Sequence, residues 1–140
     1  MKIFAVIDTN VLVSAALNWD SVPGVVVEKA LRGKIIPVLN DEIIREHDDV
    51  LHRKKFSFLD GDIQAVIDGL KKRGIFLSPA KVEEVLPDEK DVIFYAVTMQ
   101  SIKLQKDSTY LITGNLKHFP IKQYVVLPRE FLTILTNMNI

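Results

Sequence analysis

The sequence contains no cysteine. That excludes disulfides, thiolate metal ligands and a cysteine nucleophile, and it suits a reducing compartment. The expected location is the cytoplasm. Histidine is scarce, with three scattered residues, which argues against a zinc site built from imidazoles and thiolates. Neither sign of charge is in excess: 18 basic side chains face 18 acidic ones. Any nucleic-acid contact must therefore come from a local basic patch. No apolar run approaches the roughly 20 residues that cross a membrane. One lysine precedes the first apolar stretch and no small-residue cleavage site follows it, so no signal peptide is expected. Repeats, low-complexity segments and linkers are also missing, and 140 residues suit a single domain over 1–140.

What the sequence has is a run of five apolar residues, Ile3 to Ile7, that stops at Asp8-Thr-Asn10. A strand exposed on one face would alternate apolar and polar residues; a continuous run predicts one buried on both faces. Val11 to Leu17 then has the composition of a short helix. A carboxylate thus stands where a buried strand ends and a helix begins, the edge at which open α/β sheets bind ligands. Asp8 can equally be a helix N-cap.

Further strands are expected at Lys34–Leu39, Ile75–Leu77, Thr109–Thr113 and Tyr124–Leu127. Pro37 suggests a strand end or a sheet edge for the second of these. Helices are expected at 22–31, 40–52, 60–73, 92–103 and 128–135. Pro23 and Pro128 suit first turns, and Gly33 and Gly74 suit helix ends. Trp19 lies in the loop before the second helix, as a lid on the core or as a partner contact. This alternation predicts a three-layer α/β/α sandwich with a mainly parallel central sheet of about five strands.

In the helix over 40–52, Ile43, Ile44, His47, Val50 and Leu51 make the apolar stripe. Glu46 falls roughly 40° beyond its edge on a wheel of about 100° per residue. It can point into a cleft, or sit on a solvated rim beside Arg45 or Lys54, which is the simpler placement. Asp88-x-x-Asp91 has the spacing of a capping box before the helix over 92–103, so one of these acids is expected to serve that N-terminus while Asp91 looks out of the sheet edge from the first turn. Gly114-Asn115 ends the fourth strand as Asp8 ends the first.

Asp8, Glu46, Asp91 and Asn115 therefore each lie at or near an edge of a predicted element. Carboxylates and an amide are hard oxygen donors, which favour Mg²⁺ or Mn²⁺. Converging acids without a cation would repel and raise at least one pKa. Spacing alone does not bring these distant residues together. Basic residues at Arg53, Lys54 and Lys55, and at Lys117 and Lys122, are either solvated faces or contacts for a phosphate backbone. Lys71 to Arg73 suit a helix C-terminus.

Several stretches resemble the motifs of the PIN-domain family, and within it the branch of toxin components of toxin–antitoxin pairs (VapC-like ribonucleases). Val6-Ile-Asp-Thr-Asn-Val-Leu12 resembles the opening motif. Asp41-Glu-Ile-Ile-Arg-Glu-His-Asp-Asp-Val-Leu51 resembles the second. Pro87-Asp-Glu-Lys-Asp-Val-Ile-Phe-Tyr-Ala-Val97 resembles the third. Leu111-Ile-Thr-Gly-Asn-Leu-Lys-His-Phe119 resembles the fourth, and Val126-Val-Leu-Pro-Arg-Glu-Phe-Leu132 the branch's ending.

The resemblance implies a metal-dependent ribonuclease in which Asp8, Glu46 and Asp91 hold Mg²⁺ or Mn²⁺. Asp88 would be an accessory acid, and Asn10 and Thr113 would fix the carboxylates from behind. It also implies a homodimer, and an antitoxin protein where a neighbouring gene encodes one. Many relatives carry Asp where this chain has Asn115, which keeps an oxygen donor but loses a charge. That substitution supports a competing reading, a PIN-fold RNA-binding or protein-binding module without turnover. A receiver-like domain phosphorylated on Asp8 would leave Glu46 without a role.

Overall fold

The computed structural model describes residues 1–140. Five strands, β1 (Phe4–Ile7), β2 (Ile36–Leu39), β3 (Ile75–Phe76), β4 (Thr109–Ile112) and β5 (Val125–Val126), form one sheet in the order β3-β2-β1-β4-β5. Every pairing is parallel. Five helices lie between them, α1 (Thr9–Leu17), α2 (Val22–Leu31), α3 (Asp41–Leu51), α4 (Asp60–Arg73) and α5 (Val92–Leu104), and α6 (Pro128–Asn137) follows β5. This is the expected three-layer α/β/α sandwich.

The apolar run explains the centre of the sheet. Ile3 to Ile7 are all buried, and β1 lies between β2 and β4 with helices over it. α5 packs on β1, β2 and β4, while α3 packs against α1, α4 and α5. The chain builds outward from β1 to β2 and β3, then returns to place β4 and β5 on the other side. The strand order thus reverses at β1, and the carboxyl ends of β1 and β4 form the switch point at which open α/β sheets bind ligands.

Pro37 sits one residue inside the start of β2, the strand-end alternative, while β2 itself is an interior strand rather than an edge. Successive N–H groups of a strand point to opposite sides. Ile36 N–H donates to Ile3 C=O on β1, which turns the Pro37 nitrogen toward β3. β3 begins only at Ile75, opposite Val38, so no ladder bond is asked of Pro37.

The Asn40 side chain caps α3, accepting from Ile43 N–H at 2.9 Å. Ser21 likewise caps α2, accepting from Gly24 N–H at 3.2 Å. Gly33 follows α2 at φ +77°, a left-handed conformation that glycine adopts without strain. Trp19 is 41% exposed and covers an apolar cleft formed with Leu12, Leu51, Phe58, Ile63 and Val66, so it is a partial lid. No helix is long and apolar enough to cross a membrane.

Candidate active site

Asp8 follows β1 directly, at the point where the strand order reverses. It occupies the N-cap position of α1, but its side chain makes no capping hydrogen bond. Instead Oδ2 accepts from Thr113 Oγ1 at 2.8 Å and from Asn10 Nδ2 at 3.3 Å. Asn10 Oδ1 in turn accepts from Gly114 N–H at 3.1 Å. Thr113 Oγ1 accepts from Asn115 N–H at 3.0 Å, which directs its own proton to Asp8. The end of β4 therefore holds the carboxylate at the end of β1. A side chain at position 114 would press on Asn10 Oδ1, so Gly114 keeps this approach open.

Asp8 is 6% exposed. Burial pushes its carboxyl up to about 6, the Thr113 hydrogen bond works against that rise, and the nearby charge of Asp91 adds to it. Two of the expected acids thus share one electrostatic neighbourhood at this edge of the sheet.

Asp88 and Asp91 divide as expected at the start of α5, one capping and the other left to face outward. Asp88 accepts from Lys90 N–H at 2.9 Å and caps a 3₁₀ turn over Glu89–Asp91. The Asp91 side chain caps nothing and instead meets His118 Nδ1 through Oδ2 at 2.9 Å. Burial raises the Asp91 carboxyl above the usual range, while His118 pulls it back.

His118 is the residue that sequence reasoning missed. It lies three positions beyond Asn115, on a 3₁₀ turn after β4, and that placement was its only signal. Asn115 itself is half-buried, and it bonds to Thr113 through its backbone N–H rather than its side chain.

Glu46 is half-buried on α3, one position before the buried His47. It forms neither ion pair expected of a rim residue: the salt bridges of the chain involve neither Arg45 nor Lys54. No three acidic or histidine side chains converge tightly enough to make a complete metal-ligand set. Two carboxylates nevertheless fit an ion such as Mg²⁺, which keeps several waters and takes one or two carboxylates. Asp8 and Asp91 have that donor chemistry, and a cation beside them would offset the repulsion that Asp91 adds to the burial of Asp8.

The basic residues fall into two groups. Arg53, Lys54 and Lys55 are exposed just past α3, with Lys55 Nζ 5.1 Å from the Phe56 ring centroid. Lys117 is exposed beside His118, and Lys122 faces Glu84.

Residues 5–117 match the PIN domain family. The chain belongs to that family. PIN domains are generally nucleases and usually use divalent metal ions, so the fold is a nuclease fold. The matched segment of this PIN domain runs from β1 through the turn after β4, and includes Asp8, Glu46, Asp91 and Asn115. The chain is also 27% identical over 146 aligned positions to an uncharacterized protein of Methanocaldococcus jannaschii, covering 94% of this chain and 91% of the relative. No solved structure matches it.

Proposed function

We propose that this PIN domain is a Mg²⁺- or Mn²⁺-dependent endoribonuclease. The carrying observation is Asp8: a buried carboxylate at the switch point, used as no helix cap, gripped from β4 and under the field of Asp91. A structural aspartate at a helix start would cap it. This one is held for an incoming cation.

Thr113 and Asn10 fix the direction of the Asp8 carboxylate and leave Oδ1 free of side-chain hydrogen bonds. His118 holds Asp91 toward the same edge by one oxygen. Glu46 supplies a third carboxylate from α3, and Asn115 an uncharged oxygen donor. When bound, Mg²⁺ or Mn²⁺ would polarise the scissile phosphate and acidify a water for in-line attack. The products would carry a 5′-phosphate and a 3′-hydroxyl. Exposed Lys117, Lys122 and Arg53 to Lys55 would hold the RNA backbone.

The finer reading is a toxin of a toxin–antitoxin pair, with an antitoxin covering the site and a homodimer as the working unit. Growth arrest on expression, relieved by the product of an adjacent gene, would support the toxin role. Unimpaired growth with full RNA cleavage in vitro would sink it.

Asn115 and the lack of a converged three-residue ligand set favour the second reading, a PIN-fold binding module without turnover. Cleavage of a mixed RNA pool with Mn²⁺, comparing wild type with Asp8→Asn, separates the two. Cleavage by wild type alone, stopped by EDTA, supports the nuclease. Equal cleavage by both, or RNA retained intact by a protein that binds it, overturns it.

A further inference from the structure

One buried side-chain polar atom in the molecule has no hydrogen-bond partner: His47 Nε2. The imidazole is 1% exposed, and its Nδ1 is hydrogen-bonded to Thr9 Oγ1 at 2.8 Å. Its ring packs on Phe94, with centroids 5.9 Å apart and planes tilted by 37°. A buried polar atom left unserved costs stability, and an apolar side chain of similar size would avoid that cost. Packing alone therefore gives no reason for histidine at this position.

Its neighbours supply one. Thr9 follows Asp8, His47 follows Glu46, and Phe94 lies one helical turn beyond Asp91. The imidazole touches a residue next to or one turn from each acid on the other two elements. Glu46 has no ion pair of its own, so its direction is set by the rotation of α3. A turn of about 20° on a helix of about 5–6 Å outer radius moves a side-chain tip by about 2 Å. Misplacement by about 1 Å can cost on the order of 10²-fold in rate. Apolar packing is non-directional and resists such a turn weakly, whereas a hydrogen bond from a buried ring fixes it.

We propose that His47 is a positioning residue, whose bond to Thr9 and contact with Phe94 lock the rotation of α3 and fix the direction in which that helix carries Glu46 relative to Asp8 and Asp91. The inference rests on the nuclease reading above. It makes stability and function move in opposite directions once both partners of the bond are removed, which a merely structural histidine would not do.

The test compares wild type with His47→Leu, Thr9→Val, Thr9→Ser and the His47→Leu/Thr9→Val double variant. Three quantities are read: melting temperature, Mn²⁺ affinity by calorimetry, and kcat and KM for RNA cleavage. The double variant removes both partners and is expected to melt at or above wild type, whereas His47→Leu leaves the buried Thr9 hydroxyl unserved and should melt somewhat lower. His47→Leu should bind Mn²⁺ about tenfold more weakly and lose about 10- to 100-fold in kcat, with KM little changed. Thr9→Val should show the same losses, since it removes the same bond from the other side and serves as the test should the Leu variant fold poorly. The double variant should be no worse than either single one, and Thr9→Ser should restore function.

Unchanged Mn²⁺ affinity in both single variants overturns the proposal. So do losses that only track a fall in folded protein. A wild type that binds Mn²⁺ but cleaves no RNA sinks the nuclease reading alone, and weaker Mn²⁺ binding by the variants then still supports the positioning role. A wild type that binds no Mn²⁺ overturns both.

Discussion

Asp8 and His47 are both buried, and they meet at the same junction, since the residue after Asp8 is hydrogen-bonded to His47. The protein treats them differently. Around Asp8 it has arranged a hydroxyl and an amide, each itself anchored to the end of β4. Around His47 it offers one hydroxyl and otherwise hydrocarbon. Burial moves both groups toward their neutral forms, raising Asp8 to about 6 and lowering His47 to about 3. Asp8 is ionised above about pH 6, so the donors around it serve a charge. His47 is neutral throughout the physiological range and acts by shape and direction. The contrast separates a group kept for its charge from one kept for its orientation.

The sharpest way to break that contrast is Asp8→Asn. The variant keeps the acceptor oxygen for Thr113 and removes the charge. Cleavage should fall by on the order of 10³-fold. Stability should move the other way. The Asp8 pKa is raised on folding, so the protonated form is favoured in the native state. That contribution is fully present below pH 3.8 and is lost as pH rises through about 6. At pH 8 the asparagine variant should therefore be more stable than wild type, by about 2–3 kcal/mol at most. Below about pH 4 the difference should vanish. Denaturant unfolding across pH 4 to 8 checks it, and a variant destabilised at pH 8 would show that the carboxylate is held as a favourable charge instead.

Thr113→Val comes next in size. It deletes the donor that opposes the Asp8 shift and leaves burial and Asp91 to raise it further. The loss in cleavage at neutral pH should be about 10- to 100-fold. The acid limb of the pH–rate profile should move to higher pH, so activity recovers in part at pH 8. A pH-independent loss would mean that the hydroxyl orients the carboxylate without setting its charge.

His118→Ala acts on the second acid. His118 pulls the Asp91 carboxyl down against burial, so its removal should raise Asp91 further. Cleavage should fall by about tenfold at pH 6 and by less at pH 8, an effect below that of Thr113→Val because Asp91 is less deeply buried. A larger loss at pH 8 than at pH 6 would assign His118 a direct contact with RNA.

How far this site could be read from the sequence follows from which contacts are local. Asp8 was legible because a buried strand has a composition of its own and Asp8 ends it. Asn115 was placed at the end of β4 for the same reason, and Asn40 because a cap lies next to what it caps, whereas the hold of Thr113 and Asn10 on a carboxylate came from the family resemblance alone. The Asp91–His118 contact was not, since it joins a helix start to an irregular turn with no periodicity to read. Asp88 and Asp91 had capping-box spacing, but a 3₁₀ turn between them gave the two side chains separate partners. Pro37 left a strand end and an edge both open because its tolerance depends on where β3 begins, which is set by a strand almost forty residues on. The helical wheel turned His47 inward, but a wheel cannot show whether a buried ring nitrogen finds a partner.

The smallest expected effect falls outside the candidate site, on Lys54 and Lys55. Both are exposed and flank the far end of α3, about 16 Å along that 11-residue helix from Asn40. At an exposed site each contributes little beyond counterion release. The Lys54→Ala/Lys55→Ala variant should leave kcat unchanged and weaken RNA binding about equally for all sequences. The slope of log affinity against log salt should become shallower by about 0.7 for each single-strand phosphate that the variant no longer neutralises. Filter binding from 50 to 300 mM salt measures it. An unchanged slope would assign these lysines to a solvated face and leave Lys117 and Lys122 as the remaining basic contacts. A changed slope with unchanged melting temperature would extend the substrate path along α3, past the same helix that His47 holds in place.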